Sequence, residues 1–88
     1  MNTSFLKSFM SDLKKLKNKK LRERLATAIE AVEAAQSLEA AGDVKKLTGS
    51  ENCFRIRVGD YRIGIALQED TVVFVRCLHR RDLYKYFP

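Results

Sequence analysis

The chain has 88 residues, the size of a single small domain that buries roughly 60–65% of its extended-chain surface. Apolar residues make up 45% and charged residues 32%, a balance that excludes a disordered tail. The net charge of +6 calls for an anionic partner, most simply nucleic acid. No apolar run reaches the length of a membrane span and the start has no signal-peptide pattern, so the expected location is the cytoplasm, away from membranes. With one histidine and two widely separated cysteines, Cys53 and Cys77, no metal site or other cofactor is expected. The two thiols read as buried and reduced, with a cross-strand disulfide left open.

At the N-terminus, Thr3 and Ser4 fit as N-caps of a helix beginning near Phe5. Phe5, Phe9, Leu13 and Leu16, with Leu6 and Met10 beside them, recur at helical spacing and predict a core-facing stripe. Asn18 marks a break. A second helix is predicted from about Lys19 to Ser37, with Leu21, Leu25, Ala28, Ile29 and Val32 on one face. Two stripes joined by a short connection predict an antiparallel helical hairpin.

Charge is unevenly placed along the chain. Residues 1–24 carry eight basic and two acidic side chains, residues 25–53 two against five, and residues 54–88 seven against four. The densest basic run holds Lys14, Lys15, Lys17, Lys19, Lys20 and Arg22. It is either a solvated helix corner or a surface that tracks phosphates.

Gly42-Asp43 is a plausible stop for the helical part. The segment VKKLTG from Val44 to Gly49 reads as a connector, with Val44 and Leu47 dipping inward and Lys45 and Lys46 outside. From Cys53 to Ile65 the residues alternate strictly: Phe54, Ile56 and Val58 point one way, Arg55 and Arg57 the other. Gly59-Asp60 supplies a two-residue turn with glycine first. The return strand places Tyr61, Ile63 and Ile65 on one side and Arg62, Gly64 and Ala66 on the other, which gathers Arg55, Arg57 and Arg62 onto one face. After a turn at Glu69-Asp70, Thr71 to Leu78 is apolar on both sides and is expected to be the central strand. A short basic and aromatic tail, HRRDLYKYFP, closes the chain from a strand end, where functional side chains are often presented. The expected architecture is α+β: a small antiparallel sheet of three to four strands, an N-terminal helical hairpin on one face, and the other face open and basic.

The helical hairpin, the KKLTG connector, the FRIRVGDYRI hairpin, the apolar VVFV strand and the closing HRRDLY together resemble the RelE/ParE superfamily of bacterial toxins over nearly the whole chain. The resemblance implies a RelE-like fold, although the strand that usually precedes the first helix would be short or missing here. It implies a cytoplasmic toxin of a type II toxin–antitoxin pair, held in check by a RelB-like antitoxin. In the RelE branch such toxins are endoribonucleases, mRNA interferases that cut messages in the ribosomal A site; the ParE branch poisons DNA gyrase. The family's basic pair on the first hairpin strand falls on Arg55 and Arg57, and the arginine opening the return strand on Arg62. The arginine past the last strand falls on Arg81 and the tyrosine after it on Tyr84. This arginine and tyrosine set favours the ribonuclease branch; gyrase binding, or an inactive basic RNA-binding module, remain the alternatives.

RNA cleavage by the 2′-OH needs a proton acceptor, positive charge for the phosphorane and a donor for the 5′-oxygen. Arg62 and Arg81 suit the charge, because planar guanidinium groups pair phosphate oxygens bidentately. Arg55 and Arg57 stand where relatives often carry lysines, and an arginine is a poor base. His79 is the one side chain of a type that titrates near neutrality, and is either the base or a structural hydrogen-bonder. Tyr84 either stacks on a nucleobase or steers a proton. Lys45, Lys46, Arg80 and the basic run from Lys14 to Arg22 are candidates for gripping ribosomal RNA (16S rRNA) and the message.

Overall fold

A computed structural model describes residues 1–88. Five strands form one mixed sheet: β1 (Asn2–Phe5), β2 (Val44–Lys46), β3 (Cys53–Val58), β4 (Tyr61–Gln68) and β5 (Thr71–His79). Their spatial order is β1-β5-β4-β3-β2, with β1 parallel to β5 and every other pair antiparallel. Two helices, α1 (Lys7–Lys14) and α2 (Lys19–Ala34), pack on one face, and a one-turn helix α3 (Leu83–Tyr86) follows β5. No helix is long and apolar enough to cross a membrane.

The sheet is larger and less uniform than the pattern predicts. Asn2 to Phe5 do not begin a helix; they pair with Thr71 to Phe74 as a parallel edge strand. The strand before the first helix is therefore short, but present. Thr3 caps nothing and donates its hydroxyl to Glu33 Oε2 at 3.2 Å. The KKLTG connector likewise contributes a strand, β2, whose three residues pair with Phe54 to Ile56. With an extra strand at each edge, the central position passes to β4, and β5 lies between β4 and β1.

Helix α1 starts only after Leu6, which has an extended backbone at ψ 157° and no side-chain cap. The change shifts the apolar stripe. Phe9 is fully buried and Leu13 and Leu16 pack against the core, but Phe5, Leu6 and Met10 stay exposed. Helix α2 is set by Asn18, whose side-chain oxygen accepts the Leu21 N–H at 3.0 Å. It ends three residues before the predicted Ser37, where Ala35 turns extended. The two helices lie mainly on the sheet, α1 on β5 and α2 on β3, rather than forming a hairpin packed on itself. Phe9, Leu25 and Val32 close over Ile56, Val58, Ile63, Ile65, Val72, Phe74 and Cys77, the main core.

The opposite face is only partly open. Leu83 and Phe87 fold back onto it and form a second cluster with Leu47 and Cys53, over Ala66, Val75 and Leu78. The Phe87 ring lies so close to Gly64 that a Cβ there would come within 2.7 Å of it. Gly64 is thus the small floor that lets the C-terminal segment dock. Tyr86, by contrast, stays exposed.

Cys53 and Cys77 sit in different clusters on opposite faces, free and buried, so no disulfide joins them. Burial, and then the carboxylate of Asp12, push the Cys77 thiol up to about 12. In a Cys53→Ser background, Cys77 should leave an aromatic disulfide reagent uncleaved at pH 8 and react at once when guanidinium unfolds the chain. Absorbance of the released thiolate checks this, and rapid reaction in the native state would contradict it.

Candidate nucleic-acid interface

The hairpin register puts the arginines together. Arg57 pairs with Arg62 and Arg55 with Gly64 across β3 and β4, so all three guanidinium groups rise from one face, as the alternation predicts. Gly59, at φ 59°, makes the turn between the strands. Arg62 is held by that turn: its Nη1 donates to the carbonyls of Gly59 at 2.7 Å and Tyr61 at 2.9 Å. Lys45 pairs with Arg55 from β2 and so belongs to the same face, whereas Lys46 pairs with Phe54 and belongs to the other.

The cluster is electrically strained. The Arg62 guanidinium is pushed below its usual range, first by desolvation, then by the charges of Arg55 and Arg57, and further by Arg80; Tyr84 acts in the opposite direction. Arg55 is far more enclosed than Arg57, with its side chain 14% exposed against 60%, and its Nη1 is buried without a hydrogen-bond partner. An orphaned buried donor of this kind is costly unless something arrives to accept from it. The carboxylate beside it is Asp43, whose Oδ1 lies 3.9 Å from Arg55 Nη1 and whose Oδ2 lies 3.8 Å from Arg57 Nε. Cations crowded over a shallow floor and left short of acceptors form a seat for phosphate oxygens.

The end of β5 sorts the remaining candidates. Arg62 pairs with Leu78, so side chains at Leu78 and, two residues on, Arg80 belong to the arginine face. The influence of Arg80 on Arg62 agrees with that placement, and the Arg80 N–H is anchored to Asp60 O at 2.8 Å. Arg81, the residue that the resemblance points to, is exposed, as Arg80 is, and lies in the turn after β5 with its N–H bonded to His79 Nδ1. Arg80 stands near Arg62 as a fourth guanidinium. His79 pairs with Tyr61 on the helix side of the sheet, its ring edge-on to that tyrosine at 5.5 Å between centroids. Its Nδ1 accepts the Arg81 N–H at 3.2 Å. His79 is therefore a hydrogen-bonder in the chain reversal after β5, and it faces away from the arginines.

Tyr84 is exposed on α3 and lines a pocket of about 460 Å³ with Lys45, Leu47, Thr48 and Phe87. That pocket adjoins the arginine face through Lys45. A buried polar network runs from α1 through β5 to Tyr86 on the same short helix. Buried Asp12 on α1 accepts from Arg76 Nε at 2.8 Å, Arg76 Nη2 at 3.1 Å and the Cys77 N–H at 2.9 Å. Arg76 in turn lies over the Tyr86 ring, 5.8 Å from its centroid.

The basic run is divided as well. Lys14, Lys15, Lys17, Lys19 and Lys20 are exposed, while Arg22 donates to Leu16 O at 2.9 Å and ties the connection between the helices. Lys20 and Arg24 share with Arg57 an open groove of about 780 Å³ floored by Ala28 and Ala31. Through Arg57 this groove joins the helix cations to the arginine face around the edge of the sheet. No three His, Cys, Asp or Glu side chains are grouped to hold a metal ion.

Residues 4–84 match the family model of the ParE toxin of type II toxin–antitoxin system, parDE. Toxin RelE3 of Methanocaldococcus jannaschii is 44% identical over 89 residues that span both chains completely. In the crystal structure of a RelB–RelE antitoxin–toxin complex from Methanococcus jannaschii, one chain is 44% identical and superposes with a TM-score of 0.81 over 97% of this chain and 99% of that one. A chain of the archaeal RelE–RelB complex from Pyrococcus horikoshii, 22% identical, shares the fold with a TM-score of 0.72 over 90% and 93% of the two chains.

Proposed function

Because this chain belongs to the ParE-type toxin family of type II toxin–antitoxin systems, we propose that it is a RelE-like toxin that cleaves messenger RNA on the ribosome. The observation that carries the reading is the cluster of Arg55, Arg57, Arg62 and Arg80 on one sheet face, with Tyr84 at its border. In the proposed reaction the scissile phosphate sits over Arg62, whose Nη1 is pinned by the turn while Nε and Nη2 remain free for phosphate oxygens. Arg55, Arg57 and Arg80 hold the charge that grows on the phosphorane, with little reorganisation because they are already in place. Attack by the neighbouring 2′-oxygen leaves a 2′,3′-cyclic phosphate and a free 5′-hydroxyl. Tyr84 stacks on a displaced base. The exposed lysines from Lys14 to Lys20 grip 16S rRNA, adding affinity that falls with salt and little sequence choice.

The partner that restrains the toxin is a RelB-like antitoxin, by analogy with the complexes formed by the related chains. An acidic amphipathic segment complements this basic surface. The family model is named for ParE toxins, which makes gyrase binding the competing reading. Primer extension on a ribosome-bound message decides between them. Cuts confined to the A-site codon support cleavage. Growth arrest with intact message would overturn it, and gyrase supercoiling is then the activity to assay.

A further inference from the structure

The arginine face has ample charge for a phosphate but few groups able to take the 2′-OH proton. Charged arginine and lysine side chains donate hydrogen bonds and accept none. His79 is on the other side of the sheet. That leaves the Tyr84 phenol at the border of the face, a very weak base, and one carboxylate beside Arg55 and Arg57, Asp43. Its position is built by the backbone. Gly42 at φ 109° redirects the chain out of the short 3₁₀ turn Glu39–Ala41, and its carbonyl accepts the Val44 N–H at 2.8 Å, a tight turn centred on Asp43. The Asp43 carbonyl then accepts the Arg57 N–H at 3.1 Å. Val44 faces the helices with its partner Ile56, so Asp43 falls on the arginine face opposite Arg57.

Both carboxylate oxygens are near guanidinium groups yet hydrogen-bonded to none, at 3.9 Å from Arg55 and 3.8 Å from Arg57. The side chain is 59% exposed. It is thus accessible and has lone pairs to spare, beside the cations that would hold the phosphate. We infer that Asp43 is the general base of this site. The inference rests on the ribonuclease reading above. In the step assigned to it, an Asp43 oxygen takes the proton of the 2′-OH while a 2′-oxygen lone pair forms the bond to phosphorus. The bond from phosphorus to the 5′-oxygen breaks, its electron pair stays on that oxygen, and a proton from solvent water completes the 5′-hydroxyl.

The same geometry also makes Asp43 a competitor for the arginines, since its negative charge occupies the place that phosphate would take. A base and a mere counter-ion therefore differ in sign. For wild type, Asp43→Asn and Asp43→Glu, two quantities are measured: single-turnover cleavage on a programmed ribosome, and affinity for a ribosome whose message has a 2′-deoxynucleotide at the scissile position. Asp43→Asn should cleave about 10²- to 10³-fold more slowly and bind the uncleavable message as tightly as wild type or more so. Asp43→Glu should recover part of the rate. Wild-type or faster cleavage by Asp43→Asn would make the residue a counter-ion and overturn the assignment. A parallel loss of cleavage and binding would make it structural and overturn it too. If wild type itself leaves the message intact, the ribonuclease reading falls first, and this assignment with it.

Discussion

An Asp12→Ala variant should lose about 3 kcal/mol of folding stability, the lower end of the 3–5 kcal/mol range for breaking a buried ion pair. Asp12 has a side chain only 4% exposed and accepts three hydrogen bonds, two from Arg76 and one from the Cys77 backbone. Removing it leaves an enclosed N–H without a partner and a guanidinium without its counter-ion. The lower end applies because Arg76 is 26% exposed and water can reach part of it. Asp12→Asn keeps an acceptor for the Cys77 N–H and should cost about 1–2 kcal/mol. Urea unfolding followed by circular dichroism measures both, and a loss below about 1 kcal/mol for the alanine variant would show the network to be ornamental. For a small domain whose whole stability is about 5–15 kcal/mol, the difference is large. It also reaches the site, because Arg76 lies over Tyr86 on the short helix that carries Tyr84.

That network illustrates what the sequence could not display. Asp12 and Arg76 are 64 residues apart, and β5 bulges beside them, between the pairs Gly64–Arg76 and Ile65–Phe74. A bulge changes which side chains share a face without leaving a mark on the hydrophobic pattern. Strand β1 escaped for a different reason. Its residues NTSF have no alternation long enough to register, and Phe5 falls in helical phase with Phe9, so a real periodicity led to the wrong element. Its pairing with β5 is parallel and distant in sequence, which no local signal encodes.

The hairpin, by contrast, was legible because strict alternation and a glycine-first turn together leave one register. The same parity, carried to the end of β5, divides the side chains there: Cys77 and His79 fall on the helix side, Leu78 and Arg80 on the arginine side. The resemblance assigned the arginine just past the last strand to Arg81, while strand parity puts its neighbour Arg80 on the arginine face. Asp43 had no such signal. It lies outside the regular pattern, at the turn leading into a three-residue edge strand whose existence the sequence did not disclose.

On the proposed ribonuclease reading, Arg62→Ala should lower A-site cleavage about 10²- to 10³-fold, the usual loss when one fixed donor to a developing charge is removed. The argument rests on how the guanidinium is held. Its Nη1 is fixed by two carbonyls of the hairpin turn, which aims the remaining N–H groups without help from the substrate. Arg62→Lys keeps the charge but neither the planar fork nor the second anchoring bond, so it should recover little of the lost rate. Stability separates a role in the reaction from a role in folding. Desolvation and the charges of Arg55, Arg57 and Arg80 oppose the Arg62 cation in the folded state, and deleting it relieves that opposition while two hydrogen bonds to the turn are lost. These effects offset each other, and the urea midpoint should correspond to a change within about 0.5 kcal/mol of wild type. A variant that unfolds easily would instead make Arg62 a strut of the turn. One that keeps both its stability and its full rate would move the phosphate seat elsewhere on the sheet, because the other three arginines would then suffice without the one that the fold holds most firmly.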